Sequence, residues 1–174
     1  MKNKKRNIGF SLLEMLLVLA VSAVIVIAAF MIYPKISASQ KIDNDTKLLS
    51  VINSGIKSIY TSTANYDGLS VKTAIDAHII PDDNVEDGLI WNSWGANVQI
   101  EPYYDGSYYI AFENISPDAC SKFVAQAGSS YFKILVDGTE IKNTANGLEF
   151  NLDTASKTCA STDNKPMTIY FYDK

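Results

Sequence analysis

Apolar and polar positions are divided very unevenly along the chain. From Phe10 to Tyr33 nearly every residue is apolar, and Glu14 is the single charge in the run. At about 1.5 Å rise per residue, a helix of that length spans a hydrocarbon core of roughly 30 Å. After Pro34 the pattern becomes one-sided. Ile42, Leu48, Leu49, Ile52, Ile56, Ile59 and Tyr60 recur at three- and four-residue spacing, with Lys, Asp and Asn between them. The pattern predicts one long helix from Phe10 to about Ala64, lipid-embedded first and amphipathic after Pro34. Proline lacks a backbone donor, so Pro34 ends the membrane run or kinks the helix at the interface.

The remainder reads as short elements. Residues 65–97 are loop-rich, with a short helix over Val71–Ala77 and a packed, irregular connection from Ile79-Ile80-Pro81 to Asn92-Ser93-Trp94-Gly95. Val98–Tyr103 and Ser107–Asn114 flank Tyr104-Asp105-Gly106, a favoured hairpin turn. Ser116-Pro117 supplies the cap and first residue of a helix that carries Cys120 and runs to about Ala127, stopping at Gly128. Tyr131–Val136 and Thr139–Lys142 form a second hairpin about Asp137-Gly138. Met167, Ile169 and Phe171 alternate with Thr168, Tyr170 and Tyr172, which gives a last strand one apolar face. The sum is an α+β roll, with the amphipathic half of the long helix lying across an antiparallel sheet.

Charge narrows the function classes. The sole arginine, Arg6, stands with Lys2, Lys4 and Lys5 ahead of the apolar run; without those four cations the formal charge goes from −4 to −8. The basic head stays cytoplasmic and puts the C-terminal part outside. An acidic exported domain without arginine is a poor grip for a phosphate backbone, so no direct nucleic-acid partner is expected. Cys120 and Cys159 are the two cysteines; export makes one disulfide the default, and two buried thiols the alternative in a cytosolic protein. A secretory signal competes for the N-terminus, with Ser37-Ala38-Ser39 as a cleavage site, but the apolar run here continues straight into an amphipathic pattern.

Catalysis finds no support. His78 is the only histidine, without a neighbouring cluster, and reads as a helix-end residue. There is no phosphate loop, HExxH or CxxC, and no cofactor is implied. Asp82, Asp83, Glu86 and Asp87 could hold Ca²⁺ through oxygen, but they lack the alternating ligands and turn glycine of an EF-hand and read better as a solvated acidic loop. Tyr103, Tyr104, Tyr108, Tyr109, Tyr170 and Tyr172 could form a stacking surface for sugars or a partner, or be ordinary sheet residues.

Glu14 separates a plain anchor from something more specific. A carboxylate in an apolar helix is costly unless it lies near the interface, is protonated or is paired. A cut between Gly9 and Phe10 would free an α-amine one helical turn away, and in a stack of identical helices Glu14 of one copy could neutralise the amine of the next. Such a pair fixes axial register, because a slip leaves both partners unmet.

The string Lys4-Lys5-Arg6-Asn7-Ile8-Gly9-Phe10-Ser11-Leu12-Leu13-Glu14 resembles the type IV prepilin processing site: basic leader, glycine before the cut, aromatic first mature residue, glutamate at the fifth. The resemblance implies that a prepilin peptidase requires Gly9, that Phe10 becomes the N-methylated terminus, and that the helix bends or melts near Pro34 in the filament. Ile80-Pro81, Asn92-Ser93-Trp94-Gly95, Ile115-Ser116-Pro117-Asp118-Ala119-Cys120, Thr158-Cys159-Ala160 and Met167–Tyr172 resemble the type IVb group, in particular thin-pilus pilins of conjugative plasmids. That likeness implies that Cys120 and Cys159 bracket a C-terminal loop region and that the last strand lies inside the sheet. The nine-residue leader and Phe10 follow the type IVa habit instead.

The resemblance implies a pilin roll with one disulfide, divided into a cleaved leader 1–9, a transmembrane and polymerisation half-helix 10–33, and a globular domain 34–174. It implies a subunit that polymerises with itself through Phe10 and Glu14 into a surface filament for adhesion, aggregation or mating contact. Its partners would be membrane lipid before assembly, the prepilin peptidase, an inner-membrane assembly machinery and an outer-membrane secretin. The prepilin would sit in the inner membrane with a periplasmic C-terminal domain, and the pilus outside the cell. A pseudopilin of a type II secretion system and a minor, filament-priming pilin are the alternatives; an anchored monomer has no use for Glu14.

Overall fold

The structure, a computed structural model, describes residues 11–63, 65–161 and 165–174. It divides into two compact units, Met1–Ala38 and Ser39–Lys174, and one helix, α1 (Leu12–Ile59), contributes to both. In the first unit the described side chains are largely exposed. Leu12–Ala29 is long and apolar enough to cross a membrane, and none of it is buried. The helix continues through Pro34, as the pattern of one long helix predicts.

In the second unit α1 buries Ile42, Leu48, Leu49, Ile52 and Ile56, the stripe expected from their spacing. Ile59, its last residue, is exposed. The helix stops short of Ala64, which itself lies outside the described residues. Its end falls in a run of hydroxyl residues that bond locally: Thr61 Oγ1 donates to the Ser58 carbonyl and Thr63 Oγ1 to that of Tyr60, at 3.2 and 2.9 Å. Such side chains compete with the helical ladder. Gly55, inside α1, makes room for Ile79, whose side chain a Cβ at position 55 would strike.

Beyond α1 comes α2 (Val71–Asp76), capped by Ser70, whose Oγ accepts from the Thr73 amide at 3.1 Å. His78 follows it in the left-handed region (φ 54°) and donates its amide to the Ile75 carbonyl, as a helix-end residue does. A short 3-10 turn (Asp82–Asn84) leads to a small hairpin, β1 (Val85–Glu86) and β2 (Leu89–Ile90), turned on Asp87-Gly88. This hairpin lies where an irregular connection was expected; its Asp-Gly pair was the legible signal, and both residues have positive φ, as the tightest hairpin turns require.

The main sheet has five strands: β3 (Val98–Tyr103), β4 (Ser107–Ile115), β5 (Lys133–Val136), β6 (Thr139–Asn143) and β7 (Met167–Asp173). Their order is β3-β4-β7-β5-β6, every pair antiparallel, so the last strand lies at the centre. Between β4 and β5 runs α3 (Pro117–Ala127), and between β6 and β7 an unexpected helix, α4 (Leu152–Ala160). Asn151 caps α4, its Oδ1 accepting from the amides of Asp153 and Thr154 at 2.9 and 3.1 Å.

One face of the sheet carries Ile100, Ile110, Phe112, Ile134, Ile169 and Phe171 into the same core as the α1 stripe and α3. Phe123 of α3 meets both Phe112 and Phe171 edge-on at 5.2 Å, a favoured aromatic arrangement. At one end of the core the Tyr108 hydroxyl donates to Asn53 Oδ1, Asn53 Nδ2 donates to Asp173 at 2.9 Å, and Lys57 pairs with the same carboxylate at 2.8 Å. This chain of bonds ties α1 to the ends of β4 and β7. Phe171 is fully buried on the central strand, so Phe171→Ala should cost about 3–5 kcal/mol, read as a lower urea midpoint with the disulfide intact.

Candidate assembly segment and the disulfide-bonded domain

The first described turn of α1 is closed reciprocally. The Glu14 amide donates to Ser11 Oγ at 3.3 Å, and the Ser11 amide donates to Glu14 Oε2 at 3.4 Å. Serine at the cap with glutamate three positions on is a capping box, which meets two of the amides that a helix start leaves free. The Ser-x-x-Glu spacing at 11–14 is the sequence signal for it, beside the charge that singles out Glu14. Gly9 and Phe10, the expected cleavage pair, lie outside the described residues. Deeper in the segment, Ser22 turns its hydroxyl onto the Val18 carbonyl at 2.7 Å, so this polar side chain needs no partner from its surroundings.

In the second unit Cys120 of α3 and Cys159 of α4 form the disulfide, with Cα atoms 5.8 Å apart and both residues buried. A bridge across a separation of 39 residues contributes roughly 3–4 kcal/mol in the chain-entropy view. It joins α3 to α4, and the region the two cysteines bracket is not loop throughout, since it holds β5, β6 and most of α4.

A family model described as PilS N terminal matches residues 39–171, and one described as a prokaryotic N-terminal methylation motif matches residues 4–30. The chain belongs to the PilS family, a type IVb pilin. Two relatives from Escherichia coli are each named the major structural subunit of bundle-forming pilus. That of O111:H- is 24% identical over 97% of this pilin and 96% of its own length. That of O127:H6 (strain E2348/69 / EPEC) is 27% identical over 68% and 64%. Among solved structures, TcpA, a type IV pilin from Vibrio cholerae El Tor biotype, superposes with TM-score 0.62 at 14% identity, covering 78% of this chain and 99% of its own. A type IVb pilin from Salmonella typhi gives 0.57 at 16% identity, with coverage of 76% and 97%. Both share the fold.

Several other expectations meet the pilin's geometry. Asp82, Asp83, Glu86 and Asp87 are exposed, and among the described residues no three carboxylate, histidine or cysteine side chains gather as metal ligands. The tyrosines divide by strand alternation. Tyr108 points into the core and leaves the stacking set. Tyr109, Tyr170, Tyr172 and Tyr103 form a connected cluster with centroid distances of 4.9–5.7 Å. Burial, then the neighbouring Tyr103, Tyr170 and Glu140, push the Tyr172 phenol up to about 12.

In the sequence Asp45 looks like one more polar residue between the stripe positions of the helix. Its residue surface is 1% exposed, and its Oδ1 accepts the Ser93 amide at 2.8 Å, which holds the Asn92–Gly95 turn to α1. Lys41 lies over the Trp94 ring at 4.7 Å in the same corner. Burial raises the Asp45 pKa above its ordinary value, opposed by the Ser93 amide and hydroxyl, Lys41 and Trp94. A raised folded-state pKa means that the native pilin binds this proton more readily than the unfolded chain. The Asp45 contribution to stability therefore improves as pH falls through the folded pKa and is lost as pH rises through it. Asp45→Asn keeps an acceptor for the Ser93 amide and removes the titrating carboxyl. The stability of Asp45→Asn relative to wild type should accordingly be greatest near about pH 7 and shrink toward about pH 4, measured by urea unfolding across that range.

Proposed function

We propose that this pilin is the major, filament-forming subunit of a type IVb pilus, a structural rather than catalytic protein. The observation that carries the reading is the segment Leu12–Ala29, apolar throughout except for Glu14 and Ser22, with none of it buried, beside a domain that completes its own core. Apolar surface left in water costs about 25 cal/mol per Å². Lipid covers it in the precursor, and the same segments of neighbouring copies cover it in the filament. The paired cysteines and the likeness to bundle-forming pilus subunits favour this reading over a pseudopilin or a filament-priming minor pilin.

In this reading residues 1–9 are the leader, 10–33 the membrane and polymerisation segment, and 34–174 the globular domain. The division between Ala38 and Ser39 supports a domain boundary in that region. Prepilin peptidase cuts between Gly9 and Phe10, Phe10 is N-methylated, and the inner-membrane machinery passes the subunit through a secretin to the cell surface. The methylation-motif match over residues 4–30 supports this processing. Intact mass of protein sheared from the cell surface should give a chain of 165 residues, nine fewer than the 174 encoded, beginning at Phe10. A start near Gln40 would make the segment a secretory signal instead.

Glu14 then has two tasks in succession. In the precursor its carboxylate closes the capping box with Ser11. In the filament it is the counter-charge for the Phe10 amine of a neighbouring copy. Glutamine can keep the first role but not the second, and leucine keeps neither. Both Glu14→Gln and Glu14→Leu should insert and be cleaved, since a less polar segment inserts at least as well. Removing one partner of a buried pair costs about 3–5 kcal/mol, more than a hundredfold in the stability of each added subunit. Cells expressing only either variant should hold processed pilin in the membrane and show no filaments by electron microscopy. Filaments of normal number and length from Glu14→Leu would dismiss the pairing.

A further inference from the structure

Between α1 and the end of α3 the domain opens into a cleft of about 170 Å³, lined by Leu49, Ser50, Gln126, Ala127, Ser130 and Tyr131 among others. That is below the roughly 300–1,000 Å³ of small-molecule pockets and suits one inserted side chain better than a free ligand. Among the described residues none that lines it is charged, so an ionic ligand would find no counter-charge. Tyr131 is only 4% exposed, and its hydroxyl makes no hydrogen bond among the described residues. Unlike the unmet oxygens of Asp45, Asn97 and Asn143, that hydroxyl is not sealed from the surface. Burial, then the nearby Asp173, raise its pKa, so it stands as a donor in want of an acceptor. Ser50 and Ser130 at the rim are exposed, with hydroxyls likewise unengaged among the described residues.

The same domain carries a side chain of the opposite character. Tyr104 is 80% exposed, although it sits in a fixed turn: Asp105 and Gly106 have φ of 61° and 62°, and the Tyr104 carbonyl accepts the Ser107 hydroxyl at 2.7 Å. Its ring contact is with Tyr103, edge-on at 5.2 Å, and adds little to the core. A tyrosine held out on a fixed turn is the kind of anchor that protein interfaces seat in a pocket. Charge matches as well. Asp105 beside it is exposed, and so is Lys47, which is three positions before Ser50 on α1; neither forms an ion pair among the described residues. Asp43, the other charge near the cleft, accepts from Gln126 Nε2 at 3.3 Å.

We propose that Tyr104 of one copy seats in the α1–α3 cleft of a second copy, its phenol oxygen accepting from the Tyr131 hydroxyl and Asp105 facing Lys47. The contact rests on the filament reading above and names where two domains meet within it. Because hairpin tip and cleft are different surfaces, one copy can hold a neighbour on each side and the series stays open.

The test uses the full-length chain as cells make and assemble it. Tyr104 is replaced by p-azidophenylalanine, sheared filaments are irradiated, and the cross-linked peptides are identified by mass spectrometry. The adduct should join position 104 to residues 46–53 or 126–131 of another copy. Tyr104→Ala should lower the yield of filaments at least about fivefold while processed pilin stays at its normal level. Lys47→Asp and Asp105→Lys should each lower that yield and together restore it, which a merely structural role for either residue would not do. If the photoreactive variant does not assemble, the charge exchange decides alone. Adducts at other sites of the second copy, a Tyr104→Ala yield equal to wild type, or no restoration by the exchange overturns the contact and leaves the filament reading standing. A wild-type chain that yields no surface filaments defeats the filament reading and the contact with it.

Discussion

Burial on one helix, α1, is the constraint on which the rest depends. From Ile42 to Ile56 its apolar stripe closes the core of the domain, whereas none of Leu12–Ala29 is buried among the described residues. An α-helix is the element that can tolerate this, because its backbone bonds are all internal and make no demand on the medium. Ser22 extends the same economy to a side chain by bonding back to Val18. The segment is therefore suited both to lipid and to a bundle of its own kind, and in the proposed reading Glu14 is the group that distinguishes the two settings.

The domain must hold its shape while that segment changes surroundings, and its bonds are arranged accordingly. The central strand β7 arrives last in the chain and is flanked by β4 and β5, so the sheet is complete only when the whole sequence has been used. Asp173 at its end accepts from both Asn53 and Lys57, and Asn53 in turn accepts from Tyr108. The disulfide fastens α3 to α4, whose intervening chain includes β5 and β6. Between them these links secure the elements that the long return of the chain would otherwise leave to packing alone.

What could be read from the residues followed the strength of the periodicity. The α1 stripe, both hairpins of the main sheet, α3 and the alternation of β7 were legible because each repeats an apolar spacing or carries a turn or cap signal. The helix α4 was not: among Leu152, Ala155 and Cys159 only two are buried, and its marks were polar, with the Asn151 cap, Asp153 in the first turn and Lys157 in the last. Asp45 was missed for a related reason. A lone aspartate among helix polar residues looks solvated, and what buries it is a turn 48 residues away. The tyrosines were read as a set because composition cannot say which way a strand faces until its register is known.

Register is what gives neighbouring residues of β4 opposite duties. Tyr108 faces inward, fully buried, and burial followed by the nearby Asp173 raises its phenol far above the ordinary value, so it acts there as a fixed hydrogen-bond donor to Asn53. Tyr109, one position on, faces outward and gives its hydroxyl to Glu101 at 2.6 Å across the strand pair. The inward set cannot change without disturbing the core, since close packing transmits any change of volume. The outward set is less restrained toward its edge, where Tyr104 is exposed, than at Tyr172, which is itself buried. A filament subunit needs both: an interior identical in every copy so that copies assemble in register, and an exterior face free to take on contacts of its own. In this pilin the alternation of a single strand supplies the division.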